Sequence, residues 1–144
     1  MLDVKIVRKR QTNYPQVFKA INRNFLPKAG TIVLSEAQRR VPVGRDGGGI
    51  LRGSLRFRVS GDQVAVGTNI EYAPYVEFGT GIHAEGGKGR KTPWVYFSDK
   101  FGFVKTSGMK AQPYLRPALD VNRKKLVKLW ANTYSRVFRV LGGK

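Results

Sequence analysis

The chain has 144 residues, no cysteine, and a net charge of +18 from 27 Lys and Arg against 9 Asp and Glu. That length is one domain able to bury a core unaided, and the missing cysteines exclude disulfide scaffolds, thiolate zinc sites and cysteine nucleophiles. The charge implies a polyanionic neighbour, whether nucleic acid, membrane surface or acidic protein, while no apolar run nears the roughly 20 residues that a bilayer span needs.

The opening MLDVKIVRKR has charges inside its apolar part, so it reads as a short strand around Val4 and Ile6 rather than a signal peptide, and cytosolic synthesis is expected. From Pro15 to Arg40 the apolar residues Phe18, Ile21, Phe25, Ala29, Ile32 and Val33 fall three to four apart, the period of a helix. Pro27 lacks a backbone N–H and disfavours a helical Leu26, which predicts a kink or break near Leu26; Pro42 ends the second piece. Residues 44–49 are Gly-rich around Arg45 and read as a flexible loop. The pattern then changes to period two: Leu55, Phe57 and Val59 on one face, Arg56 and Arg58 on the other. With Gly61-Asp62 as a turn and Val64 and Val66 on the return strand, this is a β-hairpin.

Residues 83–92, HAEGGKGRKT, are polar, basic and Gly-rich, and read as a second flexible loop carrying Lys88, Arg90 and Lys91. Residues 93–105 give two short aromatic strands about Asp99-Lys100. Trp94, Tyr96, Phe101 and Phe103 alternate as a core set would, although exposed rings beside basic loops could instead stack on single-stranded nucleic acid. From Pro113 to Arg139 the helical period returns through Leu115, Leu119, Leu126, Trp130, Tyr134, Val137 and Leu141, with a strongly cationic opposite face. The expected fold is one α+β domain spanning 1–144. An antiparallel sheet of two hairpins packs against a long N-terminal helix and a long C-terminal helix.

Catalytic chemistry finds little support. Glu71 and Glu77 lie six apart across Pro74, a poor spacing for a carboxylate dyad. His83 is the sole histidine and has only Glu85 near it, so no metal site is expected. A phosphate loop needs a Lys followed by Ser or Thr after its last glycine. Here Gly89 follows Lys88, and Arg90 precedes Lys91-Thr92. No cofactor motif is present, and the chain does not read as an enzyme.

Four segments nevertheless stand in a distinctive order. Gly49-Ile50-Leu51-Arg52-Gly53-Ser54-Leu55 is similar to a TGxLRxSI segment with glycine in place of threonine. The hairpin ends in Val66-Gly67-Thr68. Tyr72-Ala73-Pro74-Tyr75-Val76-Glu77-Phe78-Gly79-Thr80 follows, and Gln112-Pro113-Tyr114-Leu115-Arg116-Pro117-Ala118-Leu119 comes last. This succession resembles the small neck and tail-completion proteins of long-tailed bacteriophages and prophages. The resemblance implies a structural virion protein, made in the host cytoplasm and assembled as a hexameric ring at the head–tail junction or upper tail, around the DNA channel. Its partners would be further copies of itself and other neck, connector and tail proteins. Within the motifs, Leu51, Arg52, Ser54, Tyr72, Glu77, Phe78, Gly79, Thr80, Pro113 and Arg116 would be structural. Tyr72, Val76 and Phe78 would anchor a turn onto the sheet, and Glu77 would accept from Arg52 or Arg116.

A chain of this size is roughly 37 Å across. Duplex DNA over that height holds about 22 phosphate charges. Six copies at +18 apiece would carry on the order of a hundred positive charges, so most must face counter-ions or acidic partner proteins rather than DNA. Arg45, Lys88, Arg90 and Lys91 on the two loops would face those partners or non-specifically touch DNA, ordering as they do so. The competing function is a basic nucleic-acid-binding module.

Overall fold

The first helix, α1 (Tyr14–Arg40), starts at Asn13, whose side chain accepts from the Gln16 amide at 3.3 Å, with Pro15 in the first turn where its missing N–H costs nothing. It ends two residues before Pro42, with Arg39 and Arg40 in the last turn, where cations suit the helix dipole. This computed structural model describes residues 13–44 and 49–141, so Arg45 and the opening strand around Val4 and Ile6 lie outside the described residues. Of the kink or break expected near Leu26, the break does not occur: the helix runs on through Pro27. Pro27 and Arg23 lie on the exposed side, where the carbonyl released by proline can turn to water. Buried Leu26, Ala29 and Gly30 hold the other side of that turn.

A short helix α2 (Ile50–Ser54) leads into β1 (Arg56–Ser60), which pairs antiparallel with β2 (Gln63–Gly67), Phe57 opposite Val66. Arg56 and Arg58 point to solvent as expected, while Leu55 is fully buried. Gly30 lets this hairpin approach α1: a Cβ there would stand 2.6 Å from the Phe57 ring. Then come α3 (Ala73–Phe78), two single-turn 3₁₀ segments (Gly81–His83 and Glu85–Gly87), β3 (Trp94–Ser98), β4 (Gly102–Thr106) and α4 (Leu115–Leu141). The class is α+β, with two hairpins and a long helix at either end. The two hairpins, however, form separate two-stranded sheets.

Helices α1 and α4 pack side by side and antiparallel, because each buried cluster joins opposite ends of the pair. The larger unites Val33, Ala37 and Val41 with Leu51, Leu55, Ala73, Val76, Tyr114 and Ala118. The smaller unites Val17 and Ile21 with Val137. Both helices are turned slightly from the face that their large residues suggest. On α1 Val17 and Ala37 are inside and Phe18 is half exposed; on α4 Ala118, Thr133 and Val137 are inside while Leu119 and Trp130 are not. Small residues allow the close approach, and the Thr133 hydroxyl is satisfied by donating to the Leu129 carbonyl at 2.8 Å. The aromatic residues instead stack along α4, Trp130 on Tyr134 and Tyr134 on Phe138, at centroid distances of 5.5 Å.

The second hairpin overturns the expectation that its rings are core. Phe97, Phe101 and Phe103 are 63%, 71% and 81% exposed, and neither long helix covers them. Cross-strand partners Phe97 and Phe103 meet edge to face at 5.4 Å and otherwise stand in solvent. Alternation was therefore a true signal of strand, but it said nothing of what would cover the strand. Among the described residues no helix is long and apolar enough to cross a membrane.

Candidate functional site

The four sequence motifs meet as two joined pairs over one core. In the first pair, Leu51 enters the core, and the Ser54 hydroxyl donates to the Leu51 carbonyl at 2.8 Å. The Ser54 and Thr68 hydroxyls share a 2.6 Å hydrogen bond, and Thr68 Oγ1 also accepts from the Ile70 amide at 3.1 Å. The LRxS segment is thus fastened to the end of β2. Arg52 stays exposed on α2, away from this bond.

The second pair is centred on Glu77. Its side chain lies inside the protein, 3% exposed, at the start of α4. One carboxylate oxygen accepts from the amides of Tyr114 at 2.8 Å and Leu115 at 3.0 Å. The other accepts from the Arg116 amide and from Arg116 Nε, both at 3.1 Å. The first amides of a helix have no partner within it, and an anion there also meets the positive end of the helix dipole. Glu77 supplies both needs from a helix 37 residues away in sequence. Burial pushes its carboxyl pKa up. The Leu115, Tyr114 and Arg116 amides and the Arg116 side chain outweigh that and hold it below the ordinary value of 4.5.

Arg116 completes the join. Its guanidinium lies 4.8 Å above the Phe78 ring and donates from both terminal nitrogens to the Glu85 carboxylate, at 2.8 and 2.7 Å. Glu85 and Glu77 raise the Arg116 pKa further, and Arg116 in turn holds Glu85 below the usual carboxylate range. The choice left open between Arg52 and Arg116 as the partner of Glu77 therefore falls to Arg116. Glu85, which sequence reasoning considered only as a neighbour of His83, is the third member.

The rest of the YAPYVEFGTG stretch serves this arrangement. Val76 is buried, but Tyr72 and Phe78 are nearly half exposed, so Val76 alone of the three expected anchors is in the core. The difference arises because Arg116 and solvent, not the sheet, cover Phe78. Gly79 has φ of 74°, and a Cβ would stand 2.8–2.9 Å from backbone atoms of His83, Met109 and Ala111, so both its angle and its space require glycine. Thr80 then bonds Met109 twice, its amide donating to the carbonyl at 2.8 Å and its hydroxyl accepting from the amide at 2.9 Å. The Gln112 amide donates to the Val76 carbonyl at 2.8 Å, just before Pro113.

Residues 83–92 are more organised than a Gly-rich loop suggests. Successive turns close through Ala84 to Gly81 and Gly87 to Ala84, both at 3.2 Å, and Glu85 ties the segment to Arg116. Arg90 donates to Thr92 at 3.2 Å and lies 5.5 Å over the Trp94 ring; Lys88 and Lys91 are exposed. Among the described residues no group of three or more His, Cys, Asp or Glu converges. What the arrangement can do is hold two chain segments together and present cations and rings beside them.

The chain matches, over residues 5–79, the HK97-gp10-like family, described as "Bacteriophage HK97-gp10, putative tail-component". The match covers just over half of the chain and ends at Gly79, two residues after Glu77 and before its partners on α4. Comparison with curated protein sequences and with solved structures returned no match.

Proposed function

From the premise that the chain belongs to the HK97-gp10-like family of bacteriophage tail components, we propose that it is a structural neck or tail-completion protein of the virion. In this reading several copies, six by the earlier resemblance, close a ring at the head–tail interface around the passing DNA. The observation that carries it is the pairing of the four ordered motifs. They are consumed in joining α2 to β2 and α3 to α4, so the most distinctive segments of the sequence build architecture rather than a reactive centre.

The charge supports a surface made for other molecules. Arg56 and Arg58 line the outer face of the first hairpin, and Lys88, Arg90 and Lys91 stand beside the Glu77 join; with Arg45 they would face acidic partner proteins or DNA. A nucleic-acid-binding reading gains one observation, the exposed rings of the second hairpin. It loses on charge there, since that hairpin carries only Lys100 and Lys105 against Asp99.

Salt separates the two. Native mass spectrometry and negative-stain images of the purified protein should show closed rings that attach to tails or heads. Binding of duplex or single strands should be weak at physiological salt. Tight strand binding that falls by orders of magnitude as salt rises, by a protein that forms no rings, would overturn the proposal.

A further inference from the structure

The second hairpin exposes a continuous apolar surface that its own chain leaves uncovered. By the strand register, Val95, Phe97, Phe103 and Lys105 share one face, with Phe101 in the adjoining turn. Isolated exposed apolar residues are ordinary, but three phenylalanines together at the tip of a projecting hairpin mark a contact surface. Elsewhere on the same chain lies an open apolar groove of about 380 Å³ between α1, β2 and α4, lined by Phe25, Ala29, Val64, Val66, Leu119 and Leu126 among others. Its one charged lining residue is Arg116, already held by Glu77 and Glu85.

We infer that the Phe97–Phe103 hairpin of one copy seats in the α1–β2–α4 groove of a second copy of this chain. Charge selects this occupant. An acidic protein or nucleic acid would gain little from a hairpin whose Lys100, over the Phe101 ring, and Lys105 are set against Asp99, whereas it would gain much from the Arg and Lys surfaces elsewhere. Two copies at +18 repel wherever those surfaces meet, whereas the hairpin rings and a groove whose one charged lining residue is already paired can approach with little like charge between them. Hairpin and groove are different patches, so the contact is head to tail. It propagates from copy to copy and closes when the rotation allows, which deepens the ring reading and rests on it only for the closure.

The absence of cysteine makes a direct test simple. Phe103→Cys and Leu119→Cys place single thiols on the hairpin and in the groove, both at exposed side chains that cysteine can replace without disturbing the core. With a short bis-maleimide, a mixture of the two variants should yield a cross-linked dimer, the double variant a ladder of oligomers, and Phe103→Cys alone no product. A Phe97→Ser/Phe103→Ser variant should keep its thermal unfolding yet associate about thirtyfold more weakly in sedimentation equilibrium. Cross-linking of Phe103→Cys with itself, or no cross-link in any mixture, overturns the inference. Rings that form without the hairpin–groove cross-link also overturn it and leave the ring proposal standing. Cross-linked ladders from open, unclosed chains would support the contact and sink the ring.

Discussion

Two neighbouring aromatic segments of this chain meet opposite fates. Residues 72–80 hold two tyrosines and a phenylalanine, residues 94–103 a tryptophan, a tyrosine and three phenylalanines. The first segment is fastened to α4 through Glu77 and Arg116, while the second, richer in apolar area, stands out in solvent. Ring content therefore did not decide which segment joined the core. A carboxylate placed where a helix start needs one did, because it fixed the direction in which its segment had to lie. The contrast assigns different properties to the two regions: stability to the join, association to the hairpin.

The sharpest test of that division is Tyr114, fully buried where the join meets the core. Tyr114→Ala should cost about 3–5 kcal/mol in denaturant unfolding, the range for emptying a large aromatic site. Its hydroxyl is buried without a hydrogen-bond partner among the described residues, and burial first, then nearby Glu77 and Tyr72, push its pKa up. Tyr114→Phe should therefore match or slightly exceed the parent in stability, since it removes a polar group that nothing satisfies. A loss of more than about 1 kcal/mol in the Phe variant would mean that the hydroxyl has a partner in solution.

Glu77 comes next in size. Glu77→Ala strips three helix-start amides and Arg116 of their acceptor, an expected loss of about 3 kcal/mol from charged hydrogen bonds and a missing helix cap. Glu77→Gln keeps the shape and removes the charge, so it should lose roughly half as much. The pH dependence has a definite sign. Because the folded carboxyl titrates below 4.5, its contribution is complete above that value and is lost as pH falls through the lower folded value. Below pH 4.5 the parent should therefore lose stability more steeply than Glu77→Gln. Equal slopes in urea titrations across that window would dissolve the link between Glu77 and the start of α4.

This join also marks where the sequence was readable and where it was not. Both long helices, the first hairpin and the strand character of the second follow from period and turn residues. Glu77 was recognisable as structural, but its role as a helix cap was hidden by 37 residues of separation. A local sign existed. The residues before α4, Ala111-Gln112-Pro113-Tyr114, include none of the usual capping types, and its first turn has no acid. A helix beginning so bare requires a remote acceptor. Pro27 misled for the opposite reason: propensity argued for a break, and packing on both sides of it kept α1 whole. The exposed hairpin was unreadable because a second surface, here assigned to another copy, does not show in the period of the strand itself.

On the hairpin side, Phe97→Ser with Phe103→Ser should shift unfolding by at most about 1 kcal/mol, the worth of one edge-to-face pair. The half-exposed Tyr72, Phe78 and Trp130 fall between the two regions, at about 1–2 kcal/mol each on truncation to alanine, since part of each ring already meets water. If a hairpin substitution lowered the melting midpoint as far as Glu77→Ala does, the hairpin would belong to the folding core and the division would collapse.

The smallest expected effect is also the one that bears on assembly most directly. Lys88 and Lys91 are exposed, and Arg90 rests on Thr92 and Trp94 without an ion pair of its own in that contact. Substituting these three by serine, together with Arg45 outside the described residues, should change unfolding by no more than about 0.5 kcal/mol, because exposed positions such as Lys88 and Lys91 seldom matter more. Glu85 of the same segment must be left in place, for it holds Arg116 and so reports on the join instead. If the partners proposed above are acidic, removing four positive charges should reduce attachment to them, and chiefly slow the association rate, an effect that added salt reproduces in the parent. Head-to-tail joining measured as infectious particles against time would then be delayed in the variant at low ionic strength and converge with the parent as salt rises. A variant that joins at the parent rate in low salt would show that this basic segment faces no partner, and would move the site of charge recognition to Arg56 and Arg58 on the first hairpin.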